Sequence, residues 1–169
     1  MSKIAIIDGG GANIASLLFA FERLGRNAEL TTDAAVIESA DRVLLPGVGA
    51  AKDAMQRLAA ADLIDVIRAL RQPVLGICLG MQLLLDGSEE EDVECLGIIP
   101  GIAARLPATP SCPVPNMGWC RTPMTRDHSL LNVIEDGSYF YDLHSYGLPV
   151  SDYSLATAEH AEPFSAVVV

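Results

Sequence analysis

Through the first half of the chain, short apolar runs alternate with stretches that carry a helical repeat. Lys3 to Asp8 reads as a first strand: four apolar residues, Ile4 to Ile7, end abruptly at Asp8. Gly9-Gly10-Gly11 forms a turn, and Asn13 is placed to cap a helix from Ile14 to Leu24 that Gly25 closes. Ala28 to Thr32 is a second strand. Asp33 caps a short helix through Glu38, and Arg42 to Leu45 is a third strand, ended by Pro46-Gly47. Ala50 to Arg71 reads as helix in two pieces, and Pro73 precedes a fourth strand, Val74 to Ile77. Strand and helix alternating in this order predict a parallel sheet covered on both faces.

The second half changes character. The run Glu89-Glu90-Glu91-Asp92 reads as a solvated loop. Strand-like runs follow at Leu96 to Ile99, Ile102 to Leu106, Tyr139 to Tyr146 and Ser154 to Ala158, punctuated by prolines. Mixed or antiparallel strands are expected there. The expected fold is one α/β domain over residues 1–169, a flavodoxin-like three-layer sandwich with a mostly parallel central sheet and extra mixed strands in its second half.

Composition narrows the choice of function. Half of the residues are hydrophobic, which suits a packed globule. The net charge of −11 disfavours nucleic-acid binding, because phosphates would be repelled. No apolar stretch approaches the roughly 18 residues of a membrane helix, and the N-terminal run is too short for a signal peptide. The expected location is the cytoplasm. Cys78, Cys95, Cys112 and Cys120 form no C-x-x-C pair, so free thiols are expected rather than a zinc or disulfide framework.

One cysteine stands in a chemical setting. Gly76-Ile77-Cys78-Leu79-Gly80 joins the fourth strand to a helical pattern, and Gly-x-Cys-x-Gly is the cysteine form of a nucleophile elbow. A sharp strand-to-helix turn pushes the nucleophile outward, and the residues two before and two after it are crowded, so glycine fits there. The amide of Leu79 would point to where an oxyanion forms. Taken alone, the pattern is equally met by a buried structural cysteine. Pro46-Gly47-Val48-Gly49 adds a flexible loop at the end of a neighbouring strand, the edge at which sites gather in parallel sheets. Asp8-Gly9-Gly10-Gly11 invites a dinucleotide reading, but that fingerprint needs glycine where Ile14 stands.

Together these segments resemble the class I (triad) glutamine amidotransferases. Gly76 to Leu84 is similar to their nucleophile motif and Pro46 to Gly49 to their oxyanion strand. Within that family, several further segments resemble the glutaminase subunits of histidine biosynthesis that feed ammonia to a (β/α)8-barrel synthase (cyclase) subunit. They are Ile7 to Ile14, Leu96 to Gly101, Pro115 to Trp119, and Tyr139 to Tyr141 with His144-Ser145-Tyr146. The resemblance implies Cys78 as nucleophile, and Gly47, Val48, Gly49 and Leu79 about the oxyanion. It implies Gln82, His144, Ser145 and Tyr146 around the substrate glutamine. Asn13, Asn116, Met117, Gly118 and Trp119 are implied at the partner interface. It implies neither a metal nor an organic cofactor.

Departures from the family pattern carry their own expectations. Asn116 stands where histidine is usual before Met-Gly-Trp, and Cys120 where asparagine is common. The family's triad ends in His-Pro-Glu, which the chain lacks; its histidines are His128, His144 and His160. The run Phe164 to Val169 reads as a strand with its apolar surface uncovered, and the domain is expected to miss its C-terminal segment. Little glutaminase activity is expected as a result. The alternative is a catalytically inactive amidotransferase-like fragment that docks a partner.

Overall fold

The structure is a computed structural model that describes residues 2–10 and 13–169. Gly11, part of the expected glycine turn, lies outside the described residues. Strands β1 (Ile4–Ile7), β2 (Ala28–Thr31), β3 (Arg42–Gly47) and β4 (Val74–Cys78) form a parallel sheet in the order β2-β1-β3-β4. Helices α1 (Ile14–Arg23), α2 (Ala34–Ser39), α3 (Ala51–Ala60), α4 (Ile64–Ala69) and α5 (Leu79–Leu83) alternate with these strands. The caps read from sequence are in place. Asn13 Oδ1 accepts from the Ser16 amide at 3.3 Å, and Asp33 Oδ1 from the Ala35 amide at 2.8 Å.

The main core joins inward residues of this sheet, Ala5, Ile7, Val43 and Leu45, to Ile37, Leu58, Ile67 and Leu83 of the helices. One face of the sheet is well covered. The other is covered less than the pattern predicts, since α1 buries none of its residues and leaves Phe19 59% exposed. β3 runs on through Pro46 and Gly47, where a turn was expected. Its pairing with β1 reaches only Leu44, so Pro46 has a single strand neighbour, β4, and a missing N–H disturbs little there. β4 closes the sheet on its other side, with Leu75 and Ile77 exposed.

The second half forms a six-stranded sheet ordered β11-β12-β10-β7-β5-β6. Its members are β5 (Leu85–Ser88), β6 (Val93–Glu94), β7 (Ile99–Arg105), β10 (Tyr146–Pro149), β11 (Ser154–His160) and β12 (Glu162–Val168). Only β5 and β7 pair in parallel. Two further strands, β8 (Asn116–Arg121) and β9 (Tyr139–His144), make a separate antiparallel ribbon. The expected strand Tyr139 to Tyr146 is thus two strands that part at Ser145 and serve different sheets. Of the expected strand at Leu96 to Ile99, only Ile99 is in a strand, as the start of β7; the rest is a loop held by the Arg68 guanidinium on the Leu96 and Cys95 carbonyls.

The end of the chain also differs from expectation. Phe164 and Val168 of β12 are buried, Val167 is half-buried and Val169 is 50% exposed. Pairing with β10 and β11 covers surface that the sequence alone left bare.

The acidic run is more than a solvated loop. The Glu90 carboxylate accepts from the Ala51 amide at 3.2 Å, and that of Glu89 from the Arg105 amide at 2.7 Å. The N-cap of α3, Ala50, offers no side-chain cap, so Glu90 supplies one to Ala51 from 39 residues away. Replacing Glu90 by alanine is expected to cost about 1 kcal/mol, read as a fall of roughly 2–4 °C in thermal melting. Replacement by glutamine keeps an acceptor oxygen and should retain most of the stability.

Candidate active site

The carboxyl ends of the parallel strands bring the predicted segments together. Gly47 of β3 is the register partner of Cys78 of β4, so the glycine loop Gly47 to Gly49 starts beside the cysteine. In open parallel sheets this edge is where ligands gather.

The elbow is tight because no loop separates strand from helix. β4 ends at Cys78 and α5 begins at Leu79. Cys78 takes φ +55° and ψ −119°, a conformation that L-residues other than glycine adopt only under strain. The thiol-bearing residue is exposed. Its glycine neighbours are required by contact. A Cβ on Gly76 would lie 2.6 Å from Met81 Cα, and one on Gly80 would strike the Leu45 carbonyl oxygen. A Cβ on Gly47 would lie 3.0 Å from the Gly80 amide nitrogen. Gly49, at φ +92°, turns the loop away in a conformation that favours glycine, and Val48 between the two is half-exposed. Leu79 buries its side chain, while its amide, in the first turn of α5, has no intrahelical acceptor. The arrangement offers a projecting sulfur, with backbone N–H groups of a helix start beside it. Such donors suit a tetrahedral oxyanion formed by attack on a carbonyl.

A second cluster sits behind α5. Gln82, 8% exposed, donates from Nε2 to the Tyr146 carbonyl at 3.0 Å. His144 Nδ1 meets the same carbonyl at 2.8 Å. A carbonyl only accepts, so Nδ1 must carry a proton. His144 Nε2 faces Asn116 Nδ2 at 3.3 Å, and the imidazole stacks edge-on against Phe164 at 4.8 Å. Ser145 marks the break between β9 and β10, where its carbonyl accepts from the Leu106 amide. Gln82, four residues after Cys78 on α5, and His144 therefore share the Tyr146 carbonyl.

The other histidines are engaged elsewhere. His128 Nδ1 accepts from the Leu130 amide at 3.2 Å, and His160 Nε2 donates to the Pro113 carbonyl at 2.9 Å. Among the described residues no hydrogen bond joins a histidine to Cys78, and no group of side chains is arranged to hold a metal ion.

The ribbon has two unlike faces. Met117 and Trp119 of β8 stand outward, 61% and 70% exposed, beside Tyr139, Tyr141 and Leu143 of β9. Trp119 and Tyr141 pack edge to face at 5.5 Å. Asn116, 4% exposed, points the opposite way, and Gly118 lies opposite Asp142. Of the residues implied at a partner interface, Met117 and Trp119 are thus on the open face and Asn116 is beneath it. Asn13 is exposed at the start of α1. Sequence reading missed the contribution of Tyr139, Tyr141 and Leu143, although their period-two alternation with Phe140, Asp142 and His144 carries that signal.

The inner face carries a polar cluster. Asn116 Nδ2 lies 3.5 Å from Cys120 Sγ, and Asp142 Oδ2 is buried without a hydrogen-bond partner among the described residues. Burial pushes the Cys120 thiol up; Asp142 adds to that shift and the Asn116 bond opposes it. Burial alone raises the Cys95 thiol.

Known proteins are similar to this chain in sequence and in fold. The sequence model of the family Glutamine amidotransferase class-I matches residues 5–148. Imidazole glycerol phosphate synthase subunit HisH of Xanthomonas axonopodis pv. citri is 46% identical over 168 residues, 99% of this chain and 84% of that protein. Imidazole glycerol phosphate synthase subunit HisH 2 of Legionella pneumophila (strain Paris) is 50% identical over 165 residues, 98% of this chain and 83% of that protein. Two solved structures match at lower identity and so bear on the fold. A glutamine amidotransferase superposes with TM-score 0.70 at 12% identity, over 94% of this chain and 85% of that one. The glutaminase domain of a Trypanosoma brucei CTPS, solved with bound acivicin, superposes with TM-score 0.65 at 16% identity, over 98% and 79%. With its family match across both the elbow and the ribbon, and with relatives at nearly half identity along its length, this chain belongs to the class-I glutamine amidotransferase family.

Proposed function

We propose that this chain is the glutaminase subunit of an imidazole glycerol phosphate synthase, and that Cys78 is its nucleophile. The observation that carries the reading is the positive-φ elbow at Cys78, set beside Gly47 by glycine-only contacts. The family's name supplies glutamine as the substrate, and the names of the HisH relatives supply the synthase. The thiolate of Cys78 adds to the side-chain carbonyl carbon of glutamine, and the oxyanion takes hydrogen bonds from the Leu79 amide and the Gly47–Gly49 loop. The C–N bond breaks, the nitrogen takes up a proton and leaves as ammonia, and a glutamyl thioester remains. Water then cleaves the thioester to glutamate and restores the thiol. Gln82, His144, Ser145 and Tyr146 shape the glutamine pocket.

The outward ribbon face, with Met117, Gly118 and Trp119, and Asn13 of the α1 cap receive a (β/α)8-barrel cyclase subunit, which consumes the ammonia. The pair forms a heterodimeric lyase of histidine biosynthesis in the cytoplasm. A partner-docking module without glutaminase activity is the second reading. It is favoured by the hydrogen bonds that occupy His128, His144 and His160 away from Cys78.

Glutamate release from glutamine, measured with and without the barrel subunit, separates the two. A general base contributes about 10²–10⁴-fold, so turnover by this chain should fall short of a full triad by at least that factor. A slow release that the barrel subunit raises and Cys78→Ala removes supports the glutaminase. Tight docking with no release in either protein leaves the docking module as the correct reading.

A further inference from the structure

We propose that Asn116 is a positioning residue for the glutamine pocket, acting through His144 on the carbonyl that holds Gln82. The inference rests on the glutaminase reading above and assigns a role that the ribbon's outer face does not explain. Asn116 is buried on the inner face of β8, opposite His144 in the β8–β9 register. Its amide donates from Nδ2 toward His144 Nε2 at 3.3 Å. His144 Nδ1 is already committed as donor to the Tyr146 carbonyl at 2.8 Å. With one nitrogen donating to a carbonyl and the other facing an N–H, the ring is neutral and protonated on Nδ1. Both ring nitrogens are thereby fixed, and Phe164 packs against the ring.

The Tyr146 carbonyl has two lone pairs. One takes His144 and the other Gln82 Nε2 at 3.0 Å. Gln82 sits on α5, the five-residue helix that starts immediately after Cys78. A continuous path thus runs from the ribbon through Asn116, His144 and the Tyr146 carbonyl to the helix behind the nucleophile. If the imidazole turns, its Nδ1–H leaves the carbonyl, and the carbonyl can swing away from Gln82. The same Asn116 Nδ2 also donates toward Cys120 Sγ at 3.5 Å.

The test uses the whole chain and two readouts. With only His128, His144 and His160 present, ¹⁵N imidazole shifts at neutral pH assign the tautomer of each. His144 is expected to be neutral and protonated on Nδ1. In Asn116→Asp it is expected to be doubly protonated, because a carboxylate replaces the N–H that faces Nε2. The second readout is inactivation at Cys78 by L-glutamine whose carboxamide is replaced by a chloromethyl ketone, compared with iodoacetamide. Asn116→Leu should weaken half-saturation by the glutamine-shaped reagent about two- to ten-fold, the scale of one lost hydrogen bond. Its iodoacetamide rate should not move. Asn116→His, whose ring N–H can replace the amide donor, should recover the affinity. In a His144→Phe background, Asn116→Leu should add nothing further.

Several results would overturn the inference. They are an Nε2-protonated or charged His144 in the unaltered chain, equal half-saturation in Asn116→Leu, or additive losses in the double variant. A Cys78 that ignores the glutamine-shaped reagent while reacting with iodoacetamide sinks the glutaminase reading and this inference with it.

Discussion

Glycine at position 78 is expected to give a more stable protein than alanine at the same position, the reverse of their usual order. Glycine ordinarily costs about 0.5–1 kcal/mol against alanine, because it loses more backbone freedom on folding. At φ +55° and ψ −119° the balance changes. A non-glycine residue held in such a region stores about 1–3 kcal/mol of strain. Alanine keeps that strain and glycine releases it. The net advantage of Cys78→Gly over Cys78→Ala should be about 1 kcal/mol, or roughly 2–4 °C between their melts. Both variants remove the sulfur, and both should lose every trace of glutamate release and alkylation at this position. Identical melts, or a higher one for alanine, would show that the elbow is relaxed and that strain is no part of the site.

The second large effect is expected at Gly80. A methyl group there runs into the Leu45 carbonyl oxygen, with the Leu45 carbonyl carbon 2.7 Å away. These are backbone atoms of a core strand and cannot rotate aside. α5 would have to move outward, taking Leu79 and Leu83 from the main core and dragging Cys78 off its turn. Forcing atoms into a packed core costs about 1–3 kcal/mol and sometimes more, and Gly80→Ala should lie at or beyond the upper end. Against a domain stability of about 5–15 kcal/mol, poor expression or a melt lowered by roughly 6 °C or more is the expected result. Gly118→Ala is the matched control, since a Cβ there meets nothing within 4 Å. A normal melt for Gly80→Ala would mean that the helix does not approach β3 as described.

The first half of the molecule was legible because its signals are local. Asn13 and Asp33 cap helices from two or three residues away, and strands β1, β3 and β4 are built on short apolar runs. The elbow was legible for the same reason, since the spacing of Gly76, Cys78 and Gly80 encodes one turn. The acidic run misled because the partners of Glu89 and Glu90 lie 16 and 39 residues distant. Nothing in the adjacent sequence distinguishes a carboxylate that caps a remote helix from one that meets only water. Tyr139 to Tyr146 misled in another way. Its pattern is continuous, but the chain changes partner at Ser145, and pairing is a tertiary choice. The same holds for β12, whose valines look bare until β10 and β11 are placed beside them.

Among the described residues β4 has a strand neighbour on one side only. Along a strand bonded to a single partner, alternate amides face the partner and the rest face outward. Deuterium should therefore enter Val74 to Cys78 in a two-residue rhythm, fast at one amide and slow at the next. The slow set reports the opening of β3 from β4, and the fast set needs no opening at all. The nucleophile thus rides on an edge strand of the parallel sheet, as β2 is at the far side, while β1 and β3, paired on both sides, hold the frame.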